Sequence, residues 1–366
     1  MIQMKKLFAG VAAAFLAAAL AFPCSAISAQ NAILMDAQTG RVLYEKQPDK
    51  QSLIASTTKI MTALIVCEQT NVLDRVRIPR EAVGIEGSSM YLKEGEVLTV
   101  QDLLYGLMLH SGNDAAVALA IYCGGTVEGF AELMNDKAYR LGLHNTHFVN
   151  PNGLDAPGHY SSARDLAVLA SYAMENPIFA KTVSAKTVTV GERVLRNHNK
   201  LLWHLEGADG VKTGFTKAAG RILVSSCTRQ GRRLIAVTMN DRNDWNDHKT
   251  LMEKGFSDFS VRQLVKTGDC LGSVDILSGV DNKVELLAAC DFSYALAPDE
   301  CPEIVLAEPG FVYAPVVQGQ SAGTAYICIN GKSVGKIPLV YGNTVEIEKV
   351  EKSSLWDRLL RGEKHD

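Results

Sequence analysis

Past residue 29 the 366-residue chain has no apolar run long enough to cross a bilayer, so its body is not expected to span one. It also has little net charge. The formal value is -3, and no basic cluster carries interleaved aromatics, which argues against nucleic acid as a partner. It lacks a C-x-x-C pair and any Cys/His ligand spacing. Seven of its eight cysteines (Cys67, Cys123, Cys227, Cys270, Cys290, Cys301 and Cys328) follow the leader described below. An odd number without such spacing indicates neither a disulfide framework nor a zinc site. Val66-Cys67 and Ile327-Cys328-Ile329 are apolar contexts, which suit small core residues. No metal and no cofactor are expected.

What is present begins with a leader. Lys5 and Lys6 precede an apolar run from Leu7 to Phe22, and small residues follow around Cys24 to Ala29. This pattern predicts a secretory signal peptide over 1–29, cut between Ala26 and Ala29, and hence export across the cytoplasmic membrane. A retained anchor is the alternative, and Pro23 before Cys24 argues against a lipoprotein. The remaining length suffices for two domains, the larger with a sizeable core.

The richest stretch is Ile54 to Val66. Ser56 and Lys59 stand three apart, which on a helix puts hydroxyl and amine on one face, one turn apart. From Ile60 to Val66 nearly every residue is apolar, so this helix should be buried on all sides. A lysine at its mouth loses solvent, which disfavours the ammonium and lets the amine take a proton from serine. The bland alternative is an ordinary helix start with Ser56 as cap, and S-x-x-K alone does not exclude it. Two later triplets shift the balance: Ser111-Gly112-Asn113, then Lys212-Thr213-Gly214, in order and at domain-scale gaps. Together the three elements resemble the motif set of penicillin-binding proteins and class A β-lactamases.

Along the chain, Ala32–Met35 and Arg41–Tyr44 read as a hairpin around a glycine-ended turn. Ile85–Leu92 reads as a polar loop in a β-like region. Leu103, Leu104, Leu107 and Met108 recur at helical spacing, and a second run extends from Ala115 to Tyr122. Ser111-Gly112-Asn113 then lies in a tight link between two helices, where a strained backbone can aim side chains into a cleft. His110 beside it reads as a packing residue. Helices are expected over Glu128–Leu141 and Ser162–Met174, the latter capped by Ser161 or Ser162. Lys212-Thr213-Gly214 opens a three-stranded meander with Ile222–Cys227 and Arg233–Met239. The fold class is α/β: an antiparallel sheet with a helical cluster over 30–262, then a small all-β domain over 263–350. Asn330-Gly331 is the clearest hairpin turn in that second part. In the tail, 351–366, Leu355, Trp356, Leu359 and Leu360 share one side of a short helix, which suits a membrane interface or a docking surface.

Placed together, the motifs predict an acyl-transfer site. Ser56 attacks, Lys59 is the base, Ser111 relays the proton, Lys212 tunes the field, and Asn113 holds substrate. The N–H groups of Ser56 and Phe215 form an oxyanion hole. Ser88–Lys93, Ser111–Ala115, Asn150-Pro151-Asn152-Gly153-Leu154 and Asp209–Thr216 carry the likeness further. On these segments the chain resembles serine-type D-alanyl-D-alanine carboxypeptidases, the low-molecular-mass penicillin-binding proteins, from about Asn31 to the tail. The resemblance implies a β-lactamase/transpeptidase-like domain, removal of the terminal D-alanine from peptidoglycan stem peptides through an acyl-enzyme on Ser56, and acylation of that serine by β-lactams. Substrate contacts are then expected from Asn113, Lys212, Thr213, Gly214, Phe215 and Thr216. Some members have His where this chain has Asn152, and some place Arg near the position of Asp247 for the substrate carboxylate. Here Arg242, His248 or the hydroxyls of Thr213 and Thr216 stay open for that role. A β-lactamase would need a loop glutamate with asparagine four residues on, and none lies between Ser111 and Lys212. A non-catalytic β-lactam or muropeptide sensor is the remaining alternative.

Overall fold

The structure is a computed structural model, and it describes residues 27–349. Most of the leader and the whole amphipathic tail lie outside the described residues. The described chain forms two compact units, with the break between Gly255 and Phe256, ahead of the change in sequence texture at Arg262.

The first unit opens on a hairpin, β1 (Asn31–Asp36) and β2 (Val42–Lys46). A 3₁₀ turn, Ala55–Thr58, leads directly into α1 (Lys59–Gln69). Every residue of α1 from Lys59 to Cys67 is buried, as a helix without a polar stripe requires. The region read as β-like around Ile85–Leu92 is mostly irregular. Its strands are only β3 (Arg75–Arg77) and β4 (Val97–Thr99), a three-residue pair. The loop is held instead by the buried Asp114 carboxylate, which accepts from Ser89 Oγ (2.6 Å), Met90 N (3.0 Å) and Leu92 N (3.1 Å). Helix α2 (Val100–Met108) starts in a capping box from Thr99 and Asp102. Then come α3 (Asn113–Gly124), α4 (Val127–Arg140), α5 (Ala163–Ala173) and α6 (Pro177–Ser184). Ser162 caps α5, accepting from Asp165 N at 3.1 Å.

A small hairpin, β5 (Thr187–Val190) and β6 (Arg193–Arg196), and one turn of helix, α7 (Leu201–His204), precede the meander. The meander is β7 (Ala208–Thr216), β8 (Gly220–Arg229) and β9 (Arg232–Met239), followed by α8 (Asp244–Ser257). Hairpin and meander join in one antiparallel sheet of order β2-β1-β9-β8-β7, so the strand carrying Lys212-Thr213-Gly214 is an edge. An edge leaves backbone groups free for an extended ligand. The hydrophobic core lies between this sheet and the helices, centred on α1.

The second unit, by itself, is all-β among the described residues. Strands β10 (Ser260–Val265) and β13 (Phe292–Leu296) pair with each other. The rest form a six-stranded sheet, β14-β16-β17-β12-β11-β15. Its members are β11 (Cys270–Leu277), β12 (Lys283–Ala288), β14 (Pro302–Ala307), β15 (Phe311–Tyr313), β16 (Ser321–Ile329) and β17 (Lys332–Tyr341). Asn330 (φ 51°) and Gly331 (φ 74°) make the expected turn between β16 and β17, both left-handed as a type I′ turn requires. Cys67 is a core residue as read, but Cys328 is only half-buried, and Cys270, Cys290 and Cys301 are exposed.

Candidate active site

The Ser56 turn is a constrained piece of backbone. Ala55, just before the serine, has φ 46° although it is not glycine, and such a conformation persists only where surroundings hold it. Thr57 and Thr58 turn their hydroxyls onto Ile54 O and Ala55 O (2.8 Å for the latter), closing the turn. Lys59 follows as the first residue of α1, and its Nζ lies 3.0 Å from Ser56 Oγ.

Lys59 is fully buried. Its Nζ also donates to Asn113 Oδ1 (2.6 Å) and to Asn152 O (2.6 Å). A neutral amine has two protons and one lone pair, so two acceptors plus a serine hydroxyl satisfy it completely. Burial, and secondly the charge of Lys212, push the amine well below its ordinary value, while Asp114 pulls the other way. The Asn152 carbonyl comes from a loop that approaches the turn closely. A Cβ on Gly153 (φ 87°) would sit 1.9 Å from Ala55 O, so glycine is required there. Pro151 O accepts from Thr62 Oγ1 at 2.7 Å, tying the same loop to α1.

Ser111 lies in the link between α2 and α3 with φ 64°, a second left-handed non-glycine in a motif. Its backbone strain fits the expectation of a link that aims a side chain. Asn113 opens α3, and its amide is occupied by Lys59 at Oδ1 and by Glu86 O at Nδ2. Its structural work is thus to hold the lysine. Lys212, buried on β7, donates to Thr213 O at 2.9 Å, and burial lowers its amine to about 7. Gly214 lets β7 pass the nucleophile turn closely: a Cβ there would meet Ile54 O at 3.2 Å and Ser56 N at 3.3 Å.

These elements open onto one cleft of about 870 Å³. Ser56, Ser111, Thr213, Gly214 and Phe215 line it, together with Ser88 and His110. That volume is at the large end for a small-molecule site. Lys59, Asn113 and Lys212 stand behind this lining. Thr216 does not line the cleft: its hydroxyl donates to Asp155 Oδ1 (3.2 Å) and accepts from Ala219 N (3.0 Å).

Among the groups left open for a substrate carboxylate, His248 is withdrawn by the fold. It is fully buried, with Nδ1 2.6 Å from Ser225 Oγ and Nε2 3.0 Å from Thr238 Oγ1, and burial drops it to about 3. Asp247 is turned away as well, accepting from Ser28 N and Oγ. Three cations line the cleft, Arg196, Lys200 and, on β8, Arg221, and the sequence reading named none of them. Arg221 stands beside the motif strand. It pairs with Asp244 (2.7 Å) and lies over Trp245, 5.7 Å from the ring centre. The register Phe215↔Arg221 across the tight β7–β8 connection puts it beside the motif strand. Counting outward from that turn, back to Phe215 and forward to Arg221, is the signal that would have found it. A second missed group is His159, buried behind the Ser56 turn.

Known proteins resemble this chain in sequence and in fold. Residues 17–243 match the family model described as D-alanyl-D-alanine carboxypeptidase. Residues 259–347 match one described as penicillin-binding protein 5, C-terminal domain. The chain is 33% identical to D-alanyl-D-alanine carboxypeptidase DacF of Bacillus subtilis, over 85% of this chain and 84% of that one. It is 35% identical to D-alanyl-D-alanine carboxypeptidase DacC of Escherichia coli, over 94% and 92%. In structure it is similar to penicillin binding protein 5 from Haemophilus influenzae, with TM-score 0.77 and 32% identity, over 87% of this chain and 98% of that one.

Proposed function

Since the chain belongs to the D-alanyl-D-alanine carboxypeptidase family, we propose that it is a serine-type enzyme removing the terminal D-alanine from peptidoglycan stem peptides through an acyl-enzyme on Ser56. The observation that carries the reading is the buried, neutral-leaning Lys59 amine 3.0 Å from Ser56 Oγ. Ser56 Oγ attacks the carbonyl of the penultimate residue while its proton passes to Lys59 Nζ. The negative oxygen of the tetrahedral intermediate is received by the N–H groups of Ser56 and Phe215. As the C–N bond breaks, Ser111 relays the proton to the departing D-alanine amine. Water then attacks the ester, Lys59 again taking its proton, and Ser56 is released.

The roles of the surrounding residues follow from their placement. Asn113 orients Lys59, and Lys212 keeps its pKa low. Thr213 and Gly214 form the edge along which the extended substrate lies, with Phe215 beside them. Arg221 receives the terminal carboxylate, with Asp244 fixing its fork; planar guanidinium suits that group. The proposal locates the enzyme outside the cytoplasmic membrane, at the cell wall, delivered there by the N-terminal leader. Peripheral membrane contact is assigned to the 351–366 tail. β-Lactams act as inhibitors by acylating Ser56.

Labelled penicillin tests the assignment directly. Intact-mass spectrometry with peptide mapping should place one stable adduct on Ser56, and a D-Ala-D-Ala-ended peptide should be turned over. An adduct on Ser111, or none, would sink the nucleophile assignment, and fast penicillin turnover would make the enzyme a β-lactamase.

A further inference from the structure

The mechanism above uses no histidine, yet one is buried directly behind the nucleophile turn. His159 is 2% exposed and sits in the loop that precedes α5. Its two ring nitrogens face two fixed partners. Val149 N donates to Nδ1 at 3.1 Å, so Nδ1 carries no proton. Nε2 lies 2.7 Å from Thr58 Oγ1. The single Thr58 hydroxyl proton goes to Ala55 O, at 2.8 Å, so Nε2 must be the donor to Thr58. The accounting leaves one neutral tautomer and one direction: Val149 N–H to His159, His159 to Thr58, Thr58 to Ala55 C=O. Burial, with His147 second, lowers the imidazole to about 4, consistent with a ring that stays neutral. Phe148 packs its ring edge against the imidazole at 5.9 Å.

The end of this chain is where the chemistry is. Ala55 C=O and Ser56 N–H belong to one peptide unit, which is planar, so fixing the carbonyl direction fixes the N–H. That N–H is one of the oxyanion donors proposed above. The same peptide follows the left-handed Ala55, a conformation that costs roughly 1–3 kcal/mol and relaxes unless restrained. We propose that His159 is a positioning residue that aims the Ser56 oxyanion N–H, by holding the Ala55–Ser56 peptide through Thr58.

This inference rests on the Ser56 reading, and its test separates the two. Four single variants divide the chain. His159→Gln keeps a donor near the Nε2 position and loses the Val149 contact, whereas His159→Asn keeps the Val149 contact and loses Thr58. Thr58→Val removes the hydroxyl at constant shape, and Thr58→Ser retains it. The readouts are acylation by a chromogenic β-lactam, kcat and KM on a D-Ala-D-Ala peptide, and melting temperature. A missing oxyanion donor costs about 10²–10³-fold, so a mis-aimed one should cost about 10–100-fold. His159→Asn and Thr58→Val should show that loss, with kcat and kcat/KM falling together and KM unchanged. His159→Gln and Thr58→Ser should stay within about threefold of wild type, as the retained donor and hydroxyl imply. The double variant His159→Asn/Thr58→Val should be no slower than either single one, since both break one chain. Equal behaviour of the Asn and Gln variants, or wild-type rates from folded Thr58→Val, overturns the proposal. If His159→Asn fails to fold, the Thr58 pair decides alone. A wild-type adduct away from Ser56 would instead overturn the nucleophile assignment, whatever the variants do.

Discussion

Replacing Lys59 with methionine tests the base most directly. Methionine keeps an unbranched stem of similar length and removes only the amine, which suits a fully buried position where arginine would have to overpack. The expected kinetic cost is that of a positioned general base, about 10²–10⁴-fold in acylation. In barrier height this is about 2.7–5.5 kcal/mol. Stability moves by a different route. Asn113 Oδ1 and Asn152 O lose their 2.6 Å donor, at about 1–3 kcal/mol each for a buried unpaired acceptor. Against that, a basic group that burial disfavours is gone, so the net loss should stay below the sum. Acylation by a chromogenic β-lactam, measured with the melting temperature, separates the two effects. Lys212 is the rival base, because burial brings its amine to about 7. Lys212→Met should acylate more slowly by electrostatics alone, and should shift the acid limb of the rate profile to higher pH. The sign follows because the Lys212 charge lowers the Lys59 pKa, and removing it lets that pKa rise. If folded Lys59→Met acylates within about tenfold of wild type, where a lost base should cost at least a hundredfold, the amine is not the base.

Three further outcomes are expected. Gly153→Ala should lose at least about 1–3 kcal/mol from its φ of 87° alone, and more from the clash with Ala55 O, read by chemical denaturation; wild-type stability would mean the loop stands further off. Arg221→Gln should lower kcat/KM for carboxylate-ended peptides by about tenfold or more, while a peptide ending in an amide loses little; equal losses on both would remove Arg221 from carboxylate recognition. Stability should fall as pH drops from about 6.5 toward 4, because His159 (about 4) and His248 (about 3) are held neutral when folded and protonate first when unfolded, each contributing up to about 1.4 kcal/mol per pH unit; a flat profile across that window, in urea titrations, contradicts their burial.

Much of this site was legible along the chain because its chemistry is local. Ser56 and Lys59 need only one turn of helix to meet, and the Ile60–Val66 run already required that helix to be buried. The Ser111 link was readable from two helical periods interrupted by Gly112 and Asn113, and the meander from three β-rich runs with short turns. Elements without a strong period, such as α6, the β5–β6 hairpin and α8, were not read at all. What the tertiary structure alone decided is how the Lys59 amine is buried, which groups accept from it and what stands behind the serine turn. The acceptors for its amine lie 54 and 93 residues away, and the imidazole behind the turn is 101 residues from Thr58. Such pairings leave no periodicity, because a hydrogen-bond partner is chosen by where the backbone passes in space and not by spacing along it. The same reason separates the groups considered for the substrate carboxylate: Thr213 and Arg221 line the cleft, and His248 does not. His248 went into the packing between sheet and helix, where its two nitrogens meet Ser225 and Thr238, while the register of β8 against β7 turned an arginine into the cleft.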